Sequence, residues 1–217
     1  IEFVQINTLF YLDPESPLSR AKNANVPDAV LAVCKIVAQD FDTGDVLIEV
    51  DDLFLGESLS QIKASPKANE KSGKTFTLGK LNKDRSKIVD LASYPDNSLV
   101  TTDLVYENPA PEVLGGEDVT DSRYVTAVIE HNFIAMPLDD YQSRADDYRV
   151  GFFSDRITDL TSRDAAPFKD VITRWHLIKK NPGAEISEPV KPITWWIENT
   201  TPYEFRDLIK AAGLSWN

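Results

Sequence analysis

The chain has 217 residues, 42% of them hydrophobic, with 35 acidic and 23 basic side chains for a net charge of −12. That apolar content excludes wholesale disorder, and the acid excess argues against nucleic acid, which needs a basic face. No apolar run approaches the ~18 residues of a membrane-crossing helix, and the single cysteine, Cys34, excludes an internal disulfide.

The first 138 residues read as mostly β. Ala32–Val37 and Val46–Val50 are short apolar or alternating runs, joined by Asp42-Thr43-Gly44-Asp45, whose Asp and Gly suit a tight hairpin turn. Cys34 lies inside the first run and is expected to be a small buried hydrophobe; with no histidine near it in sequence it is a poor nucleophile. Asp51–Gly56 reads as a chain reversal or short helix. The polar stretch Pro66–Lys74 reads as a mobile loop. Lys87–Leu91 and Ser98–Tyr106 read as strands around the turn Tyr94-Pro95-Asp96-Asn97, and Asn108–Asp121 as a second loop.

Tyr124–Met136 carries the strongest strand signal. Val125, Ala127, Ile129, His131, Phe133 and Ala135 fall on one face, with Thr126, Val128, Glu130, Asn132, Ile134 and Met136 on the other. A period of two rich in β-branched residues marks a strand, and short connections favour antiparallel hairpins and meanders. Residues 139–192 change character. Asp139–Phe153 is dense in Asp, Arg and Tyr, Ile172–Ile178 reads as a strand, and Pro182, Pro189 and Pro192 punctuate an extended connector pinned to a surface. Lys191–Pro202 reads as a strand running into a helix start. Thr201, Pro202 and Glu204 read as N-cap, first helical residue and capping-box partner. The helix then carries Phe205, Leu208, Ile209, Ala212 and Trp216 along one stripe. A strand and a helix so far unpacked suggest the front part of a longer protein.

The search for catalytic chemistry is mostly negative. The sequence holds no His-Glu-x-x-His helix, no cysteine pair, no Gly-rich phosphate loop and no Gly-x-Ser-x-Gly elbow. In Glu130-His131-Asn132, neighbouring strand residues point to opposite faces, so His131 reads as a satisfied or edge histidine rather than a zinc ligand, as does His176. The acidic pairs Asp51-Asp52, Asp139-Asp140 and Asp146-Asp147 lack calcium-loop spacing. Arg144, Arg149, Arg156, Arg163 and Arg174 are expected to pair with those acids. No catalytic, cofactor-binding or metal-binding residue is assigned to this chain.

From Tyr124 onward the chain resembles the large bacterial zinc-dependent metalloproteases that carry an uncharacterised N-terminal domain before a metzincin-like catalytic domain. The resemblance rests on Glu130–Pro137, on Tyr141-Gln142-Ser143-Arg144 with Asp147–Phe153, on Arg174–Lys180, on Ser187–Ile193 and on Trp195–Trp216. It implies that Ile193–Ile197 and Tyr203–Asn217 are the first strand and helix of the protease domain. It also implies that a zinc-binding His-Glu-x-x-His helix lies downstream, with zinc as cofactor of the parent and none within this chain.

The sequence is therefore read as α+β, mainly β. Residues 1–138 would form an antiparallel β-rich N-terminal domain, 139–190 an extended connector, and 191–217 the start of a metzincin-like domain. Residues 1–190 would serve as a scaffold, or as a prodomain with Tyr141–Phe153 or Ile172–Pro192 across the cleft. The partners implied are the protease domain of the same protein and a peptide or protein substrate, with no nucleic acid and no membrane span. An extracytoplasmic location follows from the resemblance. The alternative is a non-enzymatic extracytoplasmic module recognising protein or glycan through exposed aromatics such as Trp195 and Trp196.

Overall fold

A computed structural model describes residues 1–62, 76, 78–113, 115–138 and 140–216, and it is mainly β. In chain order the elements are β1 (Glu2–Gln5), β2 (Phe10–Tyr11), a 3-10 turn (Pro17–Ala21), α1 (Lys22–Asn25), β3 (Ala29–Val33), β4 (Ile36–Gln39), β5 (Val46–Ile48) and α2 (Asp51–Phe54). Then come β6 (Lys80–Leu81), a second 3-10 turn (Lys83–Arg85), β7 (Lys87–Ser93), β8 (Asn97–Glu107), β9 (Tyr124–Ile134), β10 (Ser154–Asp159), β11 (Phe168–Ile172) and α3 (Tyr203–Leu214). The loop expected at Pro66–Lys74 lies outside the described residues.

The chain divides into two compact units, Ile1–Asp139 with Thr158–Pro167, and Asp140–Ile157 with Phe168–Asn217. In the first, β8 is the central strand of a four-stranded sheet. It pairs antiparallel with β9 along one edge and with β6 and β7 along the other. The pattern follows from the sequence: Val100, Thr102, Leu104 and Tyr106 alternate along β8 and all four are buried. On β9 the face carrying Val125 to Phe133 is the half-buried one, and the alternate residues are exposed. The turn before β8 closes with Tyr94 N–H donating to the Asn97 carbonyl at 2.7 Å.

The hairpin also forms as expected: β4 and β5 pair antiparallel, and Gly44 takes φ +81° in their turn, a conformation that suits glycine. The run Ala32–Val37 is not one strand, however. β3 ends at Val33 and pairs with β1, β4 starts at Ile36, and Cys34 sits between them, its N–H on the Ile1 carbonyl at 2.7 Å. Cys34 is buried with Leu53, Phe54 and Val100, and Phe3, Ile48, Val50, Leu59, Ile88 and Phe133 pack around them. Phe54 meets the Phe133 ring edge-on at 5.7 Å. The reversal at Asp51–Gly56 is the one-turn helix α2, which places Leu53 and Phe54 in this core.

Not every connection is antiparallel. β10 runs parallel to β2, with Thr158 opposite Phe10 and Asp159 opposite Tyr11. The expected strand Ile172–Ile178 is displaced: the strand is β11, which ends where that stretch begins, and residues 173–178 are irregular. The cause is lateral bonding. Asp170 and Ile172 bond through their backbones to Asp146 and Arg144, and the Arg156 guanidinium binds the Asp170 carboxylate through two hydrogen bonds, of 2.8 and 3.0 Å. These contacts select Phe168–Ile172 over the more apolar run that follows.

Two further expectations fail. Ile193–Ile197 is not a strand; its backbone is irregular, with Trp195 and Trp196 exposed. The helix forms, but Pro202 precedes it with φ −54° and ψ 137°, and no side chain caps it. The Thr201–Glu204 capping box is therefore not made. The Arg206 side chain instead reaches back to the carbonyls of Thr201 at 3.0 Å and Asn199 at 2.6 Å, so the turn entering the helix is tied down by an arginine.

Candidate functional site

In the first unit the polar groups near the core are structural. The Tyr106 hydroxyl donates to the Glu57 carboxylate, and burial together with this acidic partner pushes the phenol far above its ordinary range. Thr102 Oγ1 donates to the Ile129 carbonyl at 3.4 Å. Ser86 Oγ donates to the Asn82 carbonyl at 2.8 Å and accepts the Val105 N–H at 3.0 Å, and the Asn82 amide donates to Glu107 at 2.6 Å. These bonds satisfy groups that would otherwise be costly to bury.

Of the two forms expected, His131 is the edge histidine and not the satisfied one: it lies on β9, which among the described strands pairs with β8 alone. It lies against the Phe54 ring at 5.7 Å, its Nε2 is buried without a hydrogen-bond partner, and burial pushes its pKa down. The imidazole is thus held neutral between apolar neighbours and packs as part of the wall. Cys34 is buried in the same core, as expected of a small hydrophobe.

The second unit gathers more chemistry at its surface. His176 Nε2 is 3.2 Å from Asp140 Oδ1, its ring meets Tyr141 edge-on at 5.3 Å, and the Arg174 guanidinium lies over the same Tyr141 ring at 5.7 Å. Tyr141, Arg174 and His176 come from two separated sequence blocks, and the fold joins them into one cluster. Of the ion pairs expected with the acidic doublets, Arg149 forms a fork on Asp147. Arg156 selects Asp170, outside the doublets, and stacks over Phe168 at 4.1 Å. Arg174 donates to the Trp175 carbonyl at 3.2 Å, and Asp52 takes Lys83. A loop clamped by Lys179 follows: its ammonium donates to the carbonyls of Ala184 and Glu185 at 2.8 and 2.9 Å, while Lys180 and Val190 bond across to Glu188 and Ile178. The backbone bonds between 178–180 and 188–190 have no sequence periodicity to announce them.

Around these groups the unit exposes large apolar side chains, including Trp175, Trp195 at 80% and Trp196 at 90%, and along α3 the stripe Phe205, Leu208 and Ile209. Among the described residues no three His, Cys, Asp or Glu side chains are placed to hold a metal ion, and no helix is long and apolar enough to cross a membrane. Asp139, part of one acidic doublet, lies outside the described residues. Among the depressions that the described residues of the first unit form are two. One, of about 310 Å³ between Gln5–Leu9 and Pro27–Ala29, has no ionisable lining residue; the other, of about 440 Å³ over Gly115–Ser122, has Glu117 and Asp121, the latter already held by Arg123. Neither assembles an acid, a base and a nucleophile.

Residues 4–180 match a family model described as Domain of unknown function (DUF5117). No curated protein and no solved structure matches the chain.

Proposed function

The chain belongs to the DUF5117 family, and from the sequence resemblance and its exposed apolar surface we propose that it is the non-catalytic N-terminal region of a bacterial zinc-dependent metallopeptidase. On this reading the β-rich part is a scaffold or prodomain, residues 139–190 are a connector, and Ile193–Asn217 opens a metzincin-like domain. The protein works outside the cytoplasm on peptide or protein substrates. The observation that carries the reading is the exposed aromatic surface of residues 175–214, Trp175, Trp195, Trp196 and the apolar stripe of α3. So much apolar surface on one segment marks a place where a protein partner packs. The sequence blocks from Glu130 to Trp216 that resemble these proteases support the same reading.

Zinc in such a protein polarises the scissile carbonyl and activates water. The donor set within this chain does not fit it, because the sequence has no His-Glu-x-x-His and the described side chains assemble no ligand group. No catalytic step is therefore assigned to these residues. Their role is to fold, cover and position. The test is to add the purified chain to the zinc-loaded catalytic part of the same protein. A one-to-one complex, weakened by Trp195→Ala with Trp196→Ala, supports the reading, and inhibition by excess chain identifies a prodomain. A chain that never binds overturns it.

The exposed tryptophans also favour a second reading, a non-enzymatic module in which Trp175, Trp195 and Trp196 stack on a glycan or protein ligand. Tryptophan fluorescence changes on adding oligosaccharides, with no binding to a protease part, would select it.

A further inference from the structure

Strand β9 has eleven residues, in register with β8 from Tyr124↔Glu107 to Ile134↔Asn97 without a bulge. Ala135 N–H donates to the Asp96 carbonyl and Asn108 N–H to the Arg123 carbonyl. In the alternation of an antiparallel ladder these bonds fix the odd-numbered residues of β9 as those bonded to β8. The N–H and C=O groups of Thr126, Val128, Glu130 and Asn132 therefore point to the other edge. Among the described residues no strand pairs with that edge.

Open edges of this length are normally blunted by bulges, prolines or charge. The sheet does this on its opposite side, where β7 has an irregularity between Ile88 and Asp90 and carries Lys87 and Asp90. β9 has no proline, no bulge and one acidic residue, Glu130. Its outward side chains include Val128, 66% exposed, and Ile134, 68% exposed. One edge is protected and the other runs eleven residues without a bulge.

We propose that this edge is a self-association surface, on which a second copy of the chain adds its own β9 antiparallel about a two-fold axis at Ile129. Ile129 is the midpoint of the strand, so this register gives the longest overlap. The bonded pairs are then Thr126 with Asn132 and Val128 with Glu130 of the second copy, the Tyr124 N–H being already held by the Asp121 carbonyl, and no like charges face each other. Moving the axis by one residue to Glu130 would set the two Glu130 carboxylates opposite one another, which disfavours that register. On the inner face Ile129 meets its own copy and Val125 meets Phe133, extending the core across the axis. A shared interface of one strand is small, and each copy carries a net charge of −12. The dimer is accordingly weak and strengthens as salt screens the repulsion between copies.

The test is sedimentation equilibrium of the full chain from roughly 1 to 200 µM, with amide exchange read at both ends of the range. The expected result is a monomer–dimer equilibrium that tightens with salt, with Thr126, Val128, Glu130 and Asn132 amides protected only in the dimer. Val128→Glu, which opposes Glu130 in both halves, weakens association about tenfold or more, while Val128→Lys retains or tightens it. Val128→Pro removes an outward N–H and also abolishes the dimer; Val128→Glu keeps the test open where that proline disturbs folding. A chain that stays monomeric overturns the proposal, as does a dimer indifferent to the charge at position 128. Protection of the four amides in the monomer would place another segment of the chain on the edge and would also overturn it.

Discussion

Replacing Tyr106 with phenylalanine removes the hydroxyl, and with it the hydrogen bond to Glu57, from the central strand of the sheet. The ring is fully buried on β8, between Leu104 and the end of the strand, and its hydroxyl donates to Glu57 on the segment after α2. Phenylalanine keeps the ring volume, so no large cavity opens and the loss is mainly that of a hydrogen bond to a charged acceptor, about 2 kcal/mol. Glu57 is half-buried, so water recovers part of its solvation and the cost stays near that figure. For a chain of this size the loss lowers the melting temperature by roughly 4–8 °C. The assay must see the right unit. All four tryptophans, Trp175, Trp195, Trp196 and Trp216, lie in the second unit, so fluorescence reports that unit, and far-UV circular dichroism in urea is the measure for the β8 sheet. The raised phenol pKa adds a sign. The folded state holds the Tyr106 proton more tightly than the unfolded one, so this contribution is complete below the ordinary value of 10 and is lost as pH rises above it. Stability of the native chain should therefore fall above pH ~10 more steeply than that of Tyr106→Phe. A variant within about 0.5 kcal/mol of the native chain, with the same alkaline decline, would refute the reasoning.

Gly79 and Gly44 share φ +81°, but a Cβ at Gly79 would lie 2.3 Å from the Glu107 carbonyl oxygen, whereas at Gly44 it meets nothing within 4 Å. Gly44→Ala is expected to cost about 1 kcal/mol and Gly79→Ala clearly more, measured by urea denaturation; equal costs would contradict the packing at the β6–β8 junction. The fork from Arg123 holds the Asp121 carboxyl at about 2. Its contribution is present above the ordinary carboxylate range and lost as pH falls toward 2, and Arg123→Gln, which leaves the backbone N–H of residue 123 on the same carboxylate, should raise the Asp121 titration, followed by NMR, part of the way toward the range near 4. Cys34 is buried in the core, so a thiol reagent should label it at the rate of unfolding, and Cys34→Ser should destabilise the chain without altering any partner binding.

What could be read from the sequence depended on whether a strand was held by its own pattern or by its neighbours. β9 and β8 alternate cleanly because each buries one face, and the β4–β5 hairpin carries its turn in Asp42–Asp45. β10 reads Ser-Asp-Arg-Ile-Thr-Asp and is held by backbone bonds and by the Arg156 fork on Asp170, so hydrophobic periodicity passes over it. Ile193–Ile197 has the composition of a strand and no lateral partner among the described residues, and composition alone does not make a ladder. In the surface cluster, Tyr141 and His176 were each visible in the sequence. Their meeting was not, because it depends on residues 144–146 pairing beside β11. The buried, unpartnered Nε2 of His131 likewise follows from the placement of Phe54 on α2, which no local pattern encodes.

The most direct measurement of the proposed function is the intact mass and zinc content of the natural polypeptide that carries this chain, set beside the 24.3 kDa of these residues. The account predicts a substantially larger protein that holds about one zinc ion per chain, cleaves peptide substrates and loses that activity to a chelator. A natural product of about 24.3 kDa that binds no zinc and no protease would contradict it.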